Sequence, residues 1–324
     1  MNAIWKQRPE GGGRAAIWMI RQISRHGGRR LGRLLLYPIT LYFLLRRAPE
    51  RRASREFLTV ALGRPATLPD IARHIHTFAS TILDRVFLLS GQLDRFDIRT
   101  TGLDAVHAQM DRGQGVLLLG SHLGSFDAMR VLATRRPNAK IRVVLDKAHS
   151  RAMQELLDAL NPELAANIID AGMSGPSIVL AIRDACEQGS VVALLVDRAQ
   201  AHEPTVNVPF LGRPARFPTS PWLIAAMLKL PVVLAFSLYL GGNRYHLHFE
   251  VFSEGLVVER HNRSARIAEC VQGYVRVLER YARMAPYNWF NFFDFWRTDH
   301  ATDEPRPAAA PPRTAGDDPA RGAG

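Results

Sequence analysis

The chain has 324 residues, 47% of them hydrophobic and 22% charged, an ordinary globular balance with enough length to bury a sizeable core in one large domain or two small ones. Its 42 basic residues, nearly all arginine, outnumber 30 acidic ones, and the net charge of +12 points to an anionic partner: nucleic acid, an acidic membrane surface or a phosphorylated substrate. Two isolated cysteines, Cys186 and Cys270, exclude a disulfide scaffold and a cysteine zinc site and suit a reducing compartment.

Residues 1–30 read as a basic leader with a short helix around Ala15–Ile23 and without the marks of a signal peptide. The first apolar run, Leu31–Leu45, contains Arg33 and Pro38. It falls short of the roughly 20 apolar residues that a spanning helix needs. Arg25, Arg29 and Arg30 precede it, and Arg46, Arg47, Arg51, Arg52 and Arg55 follow. That arrangement predicts an interfacial segment, with leucines and rings at the acyl boundary and guanidiniums on lipid phosphates. The competing reading is a buried helix beside solvated arginines. Residues 1–63 are thus expected to form a basic, helical, membrane-associating region, residues 64–300 a folded domain, and residues 301–324, rich in alanine, proline and glycine, a disordered tail.

Within 64–300, Ile71, Ile75, Phe78, Ile82, Val86 and Leu89 recur at helical spacing. Val116–Leu119, bounded by Gly115 and Gly120, reads as a fully buried strand. Helices are predicted at Phe126–Thr134, Arg151–Leu160, Gly175–Gln188, Pro218–Leu228 and Ser264–Met284. Strands are predicted at Ile141–Leu145, Asn167–Ile169, Val191–Val196, Pro231–Leu238 and Tyr245–Val251. This alternation predicts an α/β fold, a central mixed sheet with helices on both faces.

Gly120-Ser121-His122-Leu123-Gly124-Ser125-Phe126-Asp127 sits at the carboxyl end of the first buried strand, the edge at which open α/β sheets bind ligands. A carboxylate at Asp127, five residues on, is placed to fold back onto the His122 imidazole. It would fix the tautomer and leave the other ring nitrogen as a base for a substrate hydroxyl attacking an acyl carbonyl. Gly124 permits close backbone approach, and amides at the start of the helix are available to hold negative charge. The plainer reading makes His122 a turn cap and Asp127 a first-turn acid.

The string LLLGSHLGSFDAMR resembles the His-x4-Asp/Glu block of the glycerolipid, or lysophospholipid, acyltransferase superfamily, in particular its lipid A biosynthesis (lauroyl/myristoyl) branch. LLVDRAQ at 194–200, VPFLGRPARFPTSPWLIAA at 208–226, LPVVLAF at 230–236 and the aromatic NWFNFFDFW at 288–296 resemble later blocks of that branch in order and spacing. The resemblance covers about residues 20–298. It implies transfer of a fatty acyl group from acyl carrier protein or coenzyme A to a hydroxyl of a membrane lipid or glycolipid, on the cytoplasmic face of a bacterial inner membrane and with no further cofactor. It implies His122 as general base and Asp127 as its orienter. Substrate contacts are expected from Ser121, Gly124, Asp197, Arg198, Arg213 and Arg216. Three departures bear on the acceptor: aspartate stands where the branch usually has glutamate, Phe217-Pro218-Thr219-Ser220 replaces Phe-Pro-Glu-Gly-Thr, and Val144-Leu145-Asp146-Lys147 replaces a Tyr-Arg-Pro stretch.

The rival readings have less support. No zinc spacing, helix-turn-helix signal or ribonucleoprotein block suggests nucleic-acid binding. The pairs His74/His76 and His246/His248 lack carboxylates at metal-ligand spacing, so no metal site is expected. Gly-x-Ser-x-Gly is missing. A hydrolase using the same dyad on water, or a catalytically silent membrane partner of a biosynthetic complex, are the alternatives to transfer. The aromatic stretch 288–296 is expected to be part buried, packing on the core or touching the membrane.

Overall fold

The computed structural model describes residues 28–130, 140–147, 151–199 and 203–296. The helix expected at Ala15–Ile23, the far end of the one expected at Phe126–Thr134, and the tail at 301–324 lie outside these residues. Nine α-helices are found among the described residues: α1 (Gly28–Arg46), α2 (Ala48–Leu62), α3 (Leu68–Leu89), α4 (Leu103–Asp111), α5 (Arg151–Leu160), α6 (Pro162–Ala166), α7 (Gly175–Glu187), α8 (Ser220–Leu228) and α9 (Arg263–Met284). The strands are β1 (Asp97–Thr101), β2 (Val116–Gly120), β3 (Ile141–Leu145), β4 (Ile168–Asp170), β5 (Val191–Leu195), β6 (Thr205–Phe210), β7 (Arg213–Pro218), β8 (Val232–Tyr239) and β9 (Arg244–Ser253).

Seven strands form one mixed sheet in the order β1-β9-β8-β2-β5-β3-β4. β2 lies at its centre, parallel to β5 on one side and β8 on the other, while β8 and β9 pair antiparallel. Every residue of β2 is buried, and its side chains alternate between two cores as a strand's period of two requires. Leu117 and Leu119 join Val192, Leu234 and Phe236 in the core that meets α7, α8 and α9. Leu118 joins Val191, Ala193 and Val233 in the core that meets α1, α3 and α4. Helices therefore cover both faces. That is why β2, β5 and β8 read as unbroken apolar runs rather than as alternating strands.

Among the strands, β1 and the β6–β7 hairpin were not expected, nor were α4 and α6 among the helices. β1 carries the polar sequence DIRTT and sits at the sheet edge on β9, where no apolar pattern is needed. β6 and β7 form a separate hairpin turning at Leu211 and Gly212, both at positive φ (54° and 81°), so the segment read as one long motif doubles back on itself. α3 opens with a capping box between Thr67 and Asp70 and runs 22 residues, sending Leu83, Phe87 and Leu88 into the core that holds Leu118 and Val233.

α1 is helical as expected, with Leu36 buried against α3 and Leu31, Leu34, Tyr37, Leu41, Tyr42 and Leu45 exposed on its outer side. Among the described residues no helix is long and apolar enough to cross a membrane.

Candidate active site

β2 and β5 run parallel in a register that pairs Gly120 with Leu195. His122 and Asp197 each follow that pair by two residues, so adjacent strands deliver them side by side at the carboxyl edge. The Val196 amide donates to the Gly120 carbonyl at 3.0 Å and carries the register one step past the strands. His122 Nδ1–H donates to Asp197 Oδ1 at 2.7 Å, and the His122 backbone amide donates to Oδ2 at 3.0 Å.

Two further donors reach the same carboxylate from the segment after α9: Trp289 Nε1–H at 3.1 Å and the Asn291 side-chain amide at 3.0 Å, both on Oδ2. Trp289 and Asn291 are two apart in extended chain, so both side chains face the same way. The Asp197 side chain is fully enclosed, while 29% of the His122 side chain is open. A buried carboxylate is tolerated only when its oxygens are saturated with donors, and here four N–H groups supply them.

The electrostatics follow from this packing. Burial alone would raise the Asp197 pKa, but His122, Arg198 and Asn291 hold it at about 2. For His122, burial is the largest influence and lowers the pKa. The Arg198 and Arg85 charges act the same way, and Asp197 recovers only part of the loss. The imidazole is therefore neutral near pH 7, and its contribution to the aspartate is an N–H dipole rather than a charge. With Nδ1 protonated toward Asp197, Nε2 carries the lone pair and has no partner among the described residues. This is the state a general base requires.

The expected hydrogen bond from the His122 ring to Asp127 is not formed. Asp127 lies in a short 3-10 turn, Phe126–Arg130, and its Oδ2 accepts from Arg85 Nε of α3 at 2.7 Å. The ring takes the carboxylate that the sheet register brings rather than the one five residues along the chain. The helix-start amides are also committed: Gly124 N–H donates to the Asn288 carbonyl at 2.7 Å and Ser125 N–H to the Ser237 carbonyl at 3.1 Å. Gly124 does permit a close approach, but to β8. With φ at +74°, a Cβ there would lie 1.4 Å from the Ser237 carbonyl oxygen, so no other residue fits.

The other expected contact residues separate into two groups. Arg198 lies beside the centre, with Nη2 donating to the Phe290 carbonyl at 2.8 Å, Nε donating to the Asn291 side-chain oxygen, and its guanidinium over the Phe293 ring. Burial lowers its pKa to about 10. Ser121 is buried, with its hydroxyl enclosed on the side of Tyr274 rather than open to solvent. Arg213 and Arg216 stay on the hairpin: Arg213 pairs with Glu56 at 2.6 Å and lies over Trp296, and Arg216 donates to Thr205. Neither bonds to the His122–Asp197 cluster.

Trp289, Asn291 and Arg85 are site residues that sequence reasoning missed. Phe290 donates its N–H back to the His122 carbonyl at 2.8 Å, so the aromatic segment is stitched to the histidine loop. Behind it, the fully buried His74 donates Nε2–H to the Trp289 carbonyl and accepts at Nδ1 from Ser54, both at 2.9 Å. The segment is thus mainly an inner wall: Trp289, Phe290, Asn291 and Trp296 are buried, and Phe292, Phe293 and Phe295 are half-buried. Among the described residues no group of histidine, cysteine and carboxylate side chains is arranged to hold a metal ion.

The fold is thus a mixed α/β sheet that presents a neutral histidine, anchored on a buried carboxylate, at the edge of its central strand. The family model of the bacterial lipid A biosynthesis acyltransferases matches residues 76–298, well over half of the chain, and the chain belongs to that family. It is accordingly an acyltransferase, moving an acyl group from a thioester donor to a lipid acceptor. No curated protein matches it.

Proposed function

We propose that the protein transfers a fatty acyl chain from acyl carrier protein or coenzyme A to a hydroxyl of a membrane lipid or glycolipid, with His122 as the base and Asp197 as the group that orients it. One observation carries this reading: the 2.7 Å bond from His122 Nδ1 to a fully buried carboxylate, with Nε2 left open. The open nitrogen takes the proton of the acceptor hydroxyl as its oxygen attacks the thioester carbonyl. A C–O bond forms, and the carbonyl π pair moves onto oxygen. Collapse of that intermediate breaks the C–S bond, and the departing thiolate takes the proton from Nε2, so the base is regenerated. Asp197 holds the tautomer throughout and favours the imidazolium that forms between the two proton transfers.

The acceptor is a membrane component, and the outer side of α1 suits a bilayer surface. Its exposed leucines and tyrosines lie between exposed Arg30 at one end and Arg46, Arg52 and Arg55 at the other, a pattern for the anionic cytoplasmic face of a bacterial inner membrane.

The test is His122→Ala assayed with an acyl-thioester donor and extracted bacterial lipid, with products read by mass spectrometry. Loss of the acylated lipid by at least about 10³-fold is expected of a residue that is both base and acid. Undiminished acylation would remove His122 from the chemistry. Thioester consumption that proceeds equally well without lipid would make water the true acceptor.

A further inference from the structure

The chemistry above leaves one charge without a receiver. When the acceptor oxygen adds to the thioester, the former carbonyl oxygen becomes an anion, and water-excluded sites meet such a charge with fixed N–H donors. Several amides of the turn that carries His122 are already committed. The amide of His122 is held by Asp197, that of Gly124 by Asn288, that of Ser125 by Ser237 and that of Ala128 by Ser125. The hydroxyls of Ser121 and Ser125 are buried beneath the turn. Arg198 is occupied by Asn291 and the Phe290 carbonyl.

Arg85 differs. It reaches from α3 across to the turn that follows His122, where Asp127 fixes it through Nε alone at 2.7 Å. Both Nη groups are without partners among the described residues, and a quarter of the side chain is open. A guanidinium held by one edge, with the other edge free, is a rigid fork for an oxyanion. Its partner Asp127 lies five residues after His122 on the same turn, and the Arg85 charge is felt at the imidazole.

We propose that Arg85 receives the developing oxyanion of the thioester carbonyl, and that Asp127 serves as the positioning residue that aims the guanidinium. This rests on the acyl-transfer reading with His122 as base. It gives Asp127 a role that does not require contact with the imidazole. On collapse of the intermediate the electron pair returns from the oxygen to carbon as the C–S bond breaks, and Arg85 is left as it began, with no proton exchanged.

The experiment compares Arg85→Gln, Arg85→Lys, Asp127→Asn and the double variant Arg85→Gln/Asp127→Asn in the full chain, with His122→Ala as reference. Arg85→Gln is expected to lower kcat by about 10²–10³, the usual cost of losing an oxyanion donor, with KM changed less than about threefold. Its remaining activity should also show an acid limb at higher pH, because removing a cation near His122 lets the imidazole hold its proton more easily. Arg85→Lys keeps the charge but not the fork and should fall between. Asp127→Asn should lower kcat by about tenfold, and the double variant should be no worse than Arg85→Gln alone, since both changes disable one unit. Arg85→Ala should recover part of its kcat on addition of millimolar guanidinium ion, a response that a purely structural salt bridge would not give. Arg85→Gln keeping kcat within about threefold would overturn the proposal. So would effects of Arg85 and Asp127 that multiply. If His122→Ala is itself active, the acyl-transfer mechanism has failed rather than the assignment of Arg85.

Discussion

Two carboxylates among the described residues, Asp84 and Asp197, are completely buried, and they are used in opposite ways. Asp84, in the C-terminal part of α3, is gripped by Arg29 of α1 in a two-pronged pair at 2.7 and 2.8 Å and by the Tyr245 hydroxyl of β9 at 2.8 Å. Arg29 also reaches the Gly242 carbonyl, and Arg33 bonds to Tyr239 and to the same carbonyl, so the start of α1 is clamped to the β8–β9 turn. Both oxygens of Asp84 are answered by groups that belong to this clamp. Asp197 is equally buried, and its oxygens are equally satisfied, but one of its partners is an imidazole whose far nitrogen remains open. Burial with closed partners makes a rivet; burial with one open partner makes a reactive centre. The degree of burial alone does not distinguish them.

The largest effect that would break this comparison is at Asp197. Asp197→Asn keeps the shape but no longer fixes Nδ1 as the donor, and activity should fall by about 10³–10⁴, as with orienting aspartates of other histidine bases. The measurement is kcat with the acyl-thioester donor, alongside a circular dichroism melt to show that the fold persists. If the variant keeps more than a tenth of its kcat, Asp197 belongs with Asp84 as a rivet. At Asp84 the reverse is expected. Asp84→Ala leaves the Arg29 guanidinium, whose side chain is 15% exposed, without its counter-charge and should cost about 3–5 kcal/mol in urea unfolding. The remaining folded protein should keep its kcat, and a specific loss of kcat at unchanged stability would tie the clamp to the chemistry.

The same contrast explains what could be read from the sequence. Fully buried strands announce themselves: the apolar runs Val116–Leu119, Val191–Val196 and Pro231–Leu238 each match an observed strand to within one residue at either end. β1 could not be seen because an edge strand with the pattern DIRTT has no burial to record. The β6–β7 hairpin hid behind Leu211, an unusual residue for positive φ. At the site, His122 and the glycine after it were legible as a strand-end turn. Its carboxylate partner was not, because it lies 75 residues away and only the β2–β5 register brings it close. Asp127, near in sequence, was the natural choice, and Arg85 on a helix 42 residues earlier had claimed it. No local pattern marks Arg85, since one arginine among so many carries no signal. Trp289 and Asn291 left a fainter trace: two polar-capable side chains two apart within an aromatic run that otherwise reads as packing.

A smaller effect sharpens the comparison through pH. His74 supports the same inner wall from behind, and burial lowers its pKa to about 4 from an ordinary 6.5. The folded state then holds it neutral while the unfolded chain takes a proton. The unfolded state binds more protons below pH 6.5, so stability falls as pH drops from about 6.5 to about 4 and levels off below that. The full loss attributable to this residue is about 3 kcal/mol. His74→Gln keeps a donor for the Trp289 carbonyl but cannot titrate. Its stability relative to the parent should therefore improve steadily across that window, read from melting temperatures at stepped pH. Parallel curves for the two proteins would show that His74 titrates normally and that the wall behind Trp289 is looser than the packing indicates.

The smallest effect on stability belongs to the outer side of α1, which supplies the third term of the comparison: apolar side chains that are largely exposed. Leu34 and Leu41 are 63% and 55% exposed, so removing them costs the folded chain little, within about 0.5 kcal/mol for each substitution. If that surface meets a bilayer, the same side chains are buried there, and each should contribute about 1.5–3 kcal/mol to partitioning. The variant Leu34→Ser/Leu41→Ser should then melt like the parent, yet its binding to vesicles containing anionic lipid should weaken by at least about 100-fold in sedimentation. Activity on a lipid acceptor in vesicles should fall with it, while activity on the same acceptor dispersed in detergent stays near the parent's. Unchanged vesicle binding would assign membrane contact to another surface. Equal losses in detergent and in vesicles would mean that α1 acts through the fold rather than through the bilayer, and the Asp84 clamp would be the path by which it does so.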